Sequence, residues 1–250
     1  MLVTTPAHPK ATTPKAAPPG TVPAGTVSPG TVPPAGASPP SRRRVALLLV
    51  RPLARAIDWA PPAVVAVFTA ALVSLVGFGQ VLPGGDALVL MRVCGTLLGA
   101  AAAFGLVDAM SAELGATAVP RWVTQALRCL LPGGAAIAIW LAAFAYVLTR
   151  LPHDALFPVG DLLIEMGVCL GIALAAAASA VRFAPGRQAA MAAVVVQMAL
   201  VLGTILLPEQ VRLWPPTCGF GYWDQAHLFW LAMLPLPYVW LVFAGRDLRR

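Results

Sequence analysis

The chain has 250 residues, 59% of them hydrophobic and only 11% charged, with a net charge of +7. A soluble domain carries about 25% charged residues, so a water-soluble globular fold is excluded. In a chain this apolar, the positive balance is no argument for nucleic acid, and no nucleic-acid partner is expected.

Residues 1–41 are rich in Pro, Thr, Ala and Gly, and a five-residue unit recurs as "GTVPA", "GTVSP" and "GTVPP" from Gly20 to Pro34. Such a segment cannot bury enough apolar surface to offset its ordering entropy, which predicts a disordered tail. It does not read as a signal peptide, because it has no apolar core near its start. Residues 42–59 predict a basic amphipathic helix. Arg44, Arg51, Arg55 and Asp58 share one face, and Ala46, Val50, Leu53 and Ile57 share the other. Pro52 would kink it. Such a helix suits the inner membrane surface, with its arginines on anionic head groups and Trp59 at the interface. The simpler reading is a positively charged flank of the first span.

Residues 60–250 predict six transmembrane helices, at about 61–83, 87–107, 129–149, 159–181, 189–208 and 226–245. The fold class is therefore an all-α polytopic membrane protein. A span needs roughly 20 residues. The second span reaches that length only by including Arg92, and the fourth only by including Asp161 and Glu165. An unpaired charge in hydrocarbon costs a few kcal/mol or more, so these residues are expected to pair across spans two and four. They form either a packing ion pair or the polar lining of a substrate path, unless Arg92 snorkels to the head groups.

Gly95 with Gly99 and Gly167 with Gly171 form G-x-x-x-G pairs, which let helix backbones approach closely. Gln80 and Gln197 read as interhelical hydrogen-bond partners. Pro235 and Pro237 predict a kink or hinge in the last span. The loop 209–227 holds Trp214, Phe220, Tyr222 and Trp223. It reads as an interfacial aromatic belt, or as an element capping one end of a pathway.

No catalytic constellation is present. His8, His153 and His227 have no recognisable Cys or Ser partners, and the four cysteines lack metal-ligand spacing. The only lysines are Lys10 and Lys15, both in the tail, so the chain has no ATP-binding P-loop. Neither enzymatic activity nor a cofactor or metal is expected. With the N-terminus inside, fourteen Lys and Arg residues fall on the cytoplasmic side and three (Arg92, Arg150 and Arg212) on the other. That bias predicts cytoplasmic termini in a plasma-membrane protein.

It also makes the polar stretch "DAMSAELGATAVPRWVTQALR", residues 108–128, cytoplasmic. Asp108 and Ser111 could start a short helix through Glu113 and Leu114 that Gly115 ends. Thr117 and Pro120 read as a new helix start. "ELGATAVPRWVTQALR" resembles the loop after the second span in type-2 ATP-binding-cassette export permeases. Here Glu113, Leu114, Ala116, Thr117, Pro120, Arg121 and Trp122 fall on the motif positions, and the family's longer acidic stretch is reduced to Asp108, Ser111 and Glu113. The resemblance covers roughly residues 41–250. It implies that Asp108, Ser111, Glu113, Leu114, Thr117, Pro120, Arg121 and Trp122 couple to a separate ATPase subunit. It further implies a homodimer, or a heterodimer with a related permease. The spans look too apolar for a sugar path, which favours a peptide, lipid or drug-like substrate. The alternative is a non-transporting membrane protein serving immunity, signalling or scaffolding.

Overall fold

The computed structural model describes residues 50–106, 121–152, 157–184, 186–208, 211–217, 219 and 221–245, with the backbone alone at 121 and 122. The repeat-rich segment 1–41, the expected helix before residue 50, and Asp108, Ser111, Glu113, Leu114, Thr117 and Pro120 lie outside the described residues. Among those described, every regular element is a helix. These are α1 (Val50–Ala56), α2 (Ala60–Leu75), α3 (Gly84–Ala103), α4 (Arg121–Leu148), α5 (Val159–Ala180), α6 (Arg187–Ile205), α7 (Trp223–Met233) and α8 (Pro235–Ala244). A 3-10 turn, Phe104–Leu106, closes α3. Five helices are long and apolar enough to cross a bilayer, or six if the bent pair α1–α2 counts as one span. The fold is that of a polytopic all-α membrane protein.

In α1 the apolar face points inward through Leu53 and Ile57, which are buried, while Arg51 and Arg55 are exposed. The sequence places a kink at Pro52, but α1 runs through that residue. An 80° bend falls instead between α1 and α2. There the Asp58 carboxylate accepts a hydrogen bond from the Ala60 amide (3.2 Å), and Trp59 Nε1 donates to the Ala54 carbonyl (2.6 Å). Pro61 and Pro62 then occupy the first turn of α2, where a missing N–H costs nothing.

α2 stops at Leu75, well short of the apolar run that ends at Pro83. Gly77 and Gly79 take φ of +61° and +72°, a left-handed conformation that ends a helix and that glycine adopts without strain. Arg150, at the end of α4, fills the gap. Its guanidinium donates to the carbonyls of Val73 (2.8 Å) and Gly77, and its own carbonyl accepts from the Leu82 amide (3.0 Å). A cation on the last carbonyls of a helix also complements its dipole. Arg150→Met is expected to lower stability by about 1–3 kcal/mol, since hydrogen bonds to a charged group are lost. Thermal unfolding in lipid discs measures this, and an unchanged midpoint would refute the capping role.

α4 is the longest helix, at 28 residues. The helix start expected at Thr117 and Pro120 lies outside the described residues, but the last eight residues of the polar stretch, "RWVTQALR", belong to the same helix as the following span. Their residues form helices readily, so nothing interrupts the hydrogen-bond ladder. Pro132 lies inside α4, and its ring rests against Gly105, where a Cβ would meet Pro132 Cγ at 2.5 Å.

Burial separates the spans into two groups. In α3 and α5, 72% and 78% of the spanning window is buried, against 22–39% in the other three. α3 and α5 therefore form the centre, and α4, α6 and α7–α8 surround them with apolar faces outward. α5 is in contact on both sides. Its Met166 and Leu170 meet Gly95 and Gly99 of α3, and its Gly167 and Gly171 receive Leu234, Pro237 and Tyr238. Both glycine pairs thus serve packing within the chain. Gln197 of α6 donates to the Thr96 carbonyl of α3 (2.9 Å), whereas Gln80 lies exposed in the turn after α2.

The last span breaks at Leu234, between α7 and α8. Leu234 keeps helical dihedrals (φ −53°, ψ −45°), and its amide still reaches the Trp230 carbonyl (3.0 Å). Pro235 and Pro237 remove two backbone donors without folding the chain back, so residues 223–244 remain one span.

Candidate functional site

The residues that lengthen spans two and four meet at one end of the bundle. Arg92 lies in the third turn of α3, and its Nε and Nη2 donate to Glu165 Oε2 and Oε1 of α5, both at 2.8 Å. This is a two-pronged guanidinium–carboxylate pair, the strongest geometry available to these groups. The side chains are 9% and 3% exposed, so neither charge is solvated and each depends on the other.

The loop before α7 completes the shell. Arg92 Nη1 donates to the Pro215 carbonyl (2.7 Å), and the guanidinium carbon lies 5.4 Å from the Trp214 ring and 5.7 Å from the Trp223 ring. Cation–π contacts of this kind partly replace lost hydration. Trp214 Nε1 donates to Thr204 Oγ1 on α6 (2.9 Å), and Trp230 Nε1 to the Leu213 carbonyl (2.9 Å), so the loop is tied to α6 and to α7 at Leu213 and Trp214. Trp214 and Trp223 therefore pack inward as a cap over the Arg92 pair. Tyr222 faces outward, and Phe220 lies outside the described residues.

Asp161 is separate from Arg92 in this arrangement. Its Oδ2 accepts from Trp223 Nε1 (2.7 Å), so it positions the indole that covers the guanidinium. Sequence reasoning missed His227. On α7 its ring stacks on Trp223, with centroids 4.2 Å apart. Nδ1 lies 2.9 Å from the Trp223 carbonyl, and Nε2 lies 3.0 Å from Glu165 Oε1. His227 thus bridges the Trp223 backbone to the carboxylate that Arg92 also holds, the donor at each ring nitrogen depending on its tautomer. Trp223, His227 and Trp230 lie at i, i+4 and i+7, a helical face that was visible in the sequence.

The remaining space is small. A crevice bounded by Arg92, Thr96, Glu165, Cys169 and Trp214 has a volume of about 10 Å³, enough for about one water molecule. The cluster holds α3, α5, α7 and the 211–217 loop together and closes this end. Among the described residues no group of three His, Cys, Asp or Glu side chains is arranged to hold a metal ion. Cys94, Cys129 and Cys169 are buried free thiols.

At the other end, Arg182 donates to the Ala244 carbonyl at the end of α8. Arg187 of α6 pairs with Asp58 at 3.0 Å, an exposed contact that fixes geometry more than stability. Arg121 and Trp122 form the first turn of α4. Comparison with family models, curated proteins and solved structures yields no match.

Proposed function

We propose that this chain is the transmembrane subunit of an ATP-driven exporter, coupled to a separate ATPase through residues 108–128. The observation that carries the reading is the length of α4. Twenty-eight residues span about 42 Å, against about 30 Å of hydrocarbon. The surplus lies at the Arg121 end, because Cys129–Leu148 alone is apolar and long enough to cross. The first two turns of α4 would therefore carry the end of the polar stretch out of the bilayer as a helical post. That is the placement a docking element for a soluble ATPase requires, and the lack of a P-loop in this chain supplies the need for one. In this reading the Arg92 cluster is the closed external gate, and the arginine bias supports cytoplasmic termini.

The test is co-purification of the chain with an ATP-binding-cassette ATPase encoded beside it. The complex is expected to survive Arg150→Lys and to be lost, by about tenfold or more in affinity, with Glu113→Lys or Trp122→Ala. Retention of the complex in both loop variants would refute this coupling site. Absence of any ATPase would instead favour a non-transporting membrane protein.

A further inference from the structure

At the end of the bundle opposite Arg92, α1 turns away from the axis of α2 by 80°. α2 leaves Val64, Val67 and Phe68 exposed, the apolar surface of a helix that faces acyl chains. A helix bent this far from a spanning helix lies along the membrane surface. Only Ile57, Asp58 and Trp59 separate the two helices, so α1 sits at the depth of the head groups. Trp59 at the elbow is a residue type that favours that depth.

The two faces of α1 differ in what they have left to offer. Leu53 and Ile57 are 3% and 6% exposed, covered by the chain itself, so the apolar face is not free to enter the leaflet. Arg51 and Arg55, one turn apart, are exposed. Neither has an acidic partner among the described residues. The carboxylate next to them in the chain, Asp58, is already engaged through both oxygens. Its Oδ2 accepts from Arg187 Nη2 (3.0 Å) and its Oδ1 from the Ala60 amide (3.2 Å). Two guanidinium charges are thus left uncompensated at head-group depth, where lipid phosphate is the anion within reach.

We infer that Arg51 and Arg55 bind the head groups of anionic phospholipids and hold α1 on the membrane surface by charge, its apolar face being spent on the bundle. An amphipathic helix that inserts its apolar face binds whatever the lipid charge. Attachment through arginines alone depends on anionic lipid and weakens with salt. The inference needs neither an ATPase partner nor transport.

The experiment uses the full-length protein in mixed phosphatidylglycerol–phosphatidylcholine vesicles. A trace of either lipid carries a diazirine beside its head group, and labelled peptides are mapped after photolysis. The phosphatidylglycerol probe is expected to label residues 50–59 about tenfold more than the phosphatidylcholine probe, because each arginine at an anionic surface contributes about a fivefold preference. In the 76–82 turn, at the opposite end of the bundle, the two probes should label equally. Raising the ionic strength from about 0.05 M to about 0.5 M should remove most of the preference. Arg51→Gln with Arg55→Gln changes exposed side chains only, so the melting temperature should hold while the preference is lost. Arg51→Lys with Arg55→Lys should keep most of it. Three results would each overturn the inference: equal labelling of residues 50–59 by both probes, as a helix covered by a second copy of the chain would give; a preference unchanged in the glutamine pair; or one that persists at high salt. Loss of the preference in the lysine pair as well would overturn attachment by charge.

Discussion

Glu165→Leu is expected to cost about 3–5 kcal/mol of folding stability, the range for removing one partner of a buried ion pair. The loss has little to do with the leucine, which fits an apolar helix. It comes from Arg92, whose guanidinium would keep its place at 9% exposure with its carboxylate gone. His227 would lose the partner of Nε2 in the same step. The paired change Arg92→Met with Glu165→Leu removes the stranded charge and is expected to recover most of the loss. Unfolding of the single and double variants in mixed micelles, read as a double-mutant cycle, measures the coupling. If Glu165→Leu alone is no less stable than the double variant, the pair does not hold the bundle together.

The second large effect is expected at the glycines where α3 meets its neighbours. A Cβ on Gly99 would lie 3.3 Å from the backbone N and Cα of Leu170. Backbone cannot rotate away as a side chain can, so α3 and α5 would have to separate. At Gly105 the obstacle is the Pro132 ring at 2.5 Å, equally unable to yield. Gly99→Ala and Gly105→Ala are each expected to cost about 1–3 kcal/mol, the usual cost of overpacking. Gly134→Ala provides the control. It meets open space, and it gains the helix preference of alanine over glycine, about 1 kcal/mol. Thermal unfolding of the three variants separates close packing from a general intolerance of glycine replacement. Equal shifts in all three would refute the close approach.

Much of this architecture was legible from residue types alone. Long apolar runs have one stable form in hydrocarbon, because a helix satisfies its own backbone groups there. Arg92 and Glu165 stood out for a related reason, since each interrupted a run otherwise too short to span. The signals that were misread were local ones. Gly77 and Gly79 mark the end of α2, yet the apolar residues around them suggested that the span continued to Pro83. Taking Thr117 and Pro120 as a helix start already put "RWVTQALR" in a helix, but the span was bounded by apolarity at Cys129, so the length of the continuous α4 was not evident. The rest of the Arg92 cluster was out of reach. The Pro215 carbonyl and the Trp214 ring come from a loop whose path depends on Thr204 and Trp230, partners that no spacing rule connects. His227 is intermediate: its helical face with Trp223 and Trp230 was readable, but its partner on α5 was not.

The two faces of α5 have a mechanical consequence. Toward α3 and α7 it is held by directional bonds, through Glu165 to Arg92 and His227. Toward α8 it offers Gly167 and Gly171, on which Leu234, Pro237 and Tyr238 rest, and here too a directional bond forms, from the Tyr238 hydroxyl to the Gly167 carbonyl (2.9 Å). Just past the end of α5, Arg182 donates to the Ala244 carbonyl and holds the far end of α8. The last span is therefore pinned to one neighbour on either side of the point where two prolines have removed backbone donors, so it can flex at that point but cannot slide along α5 as a unit.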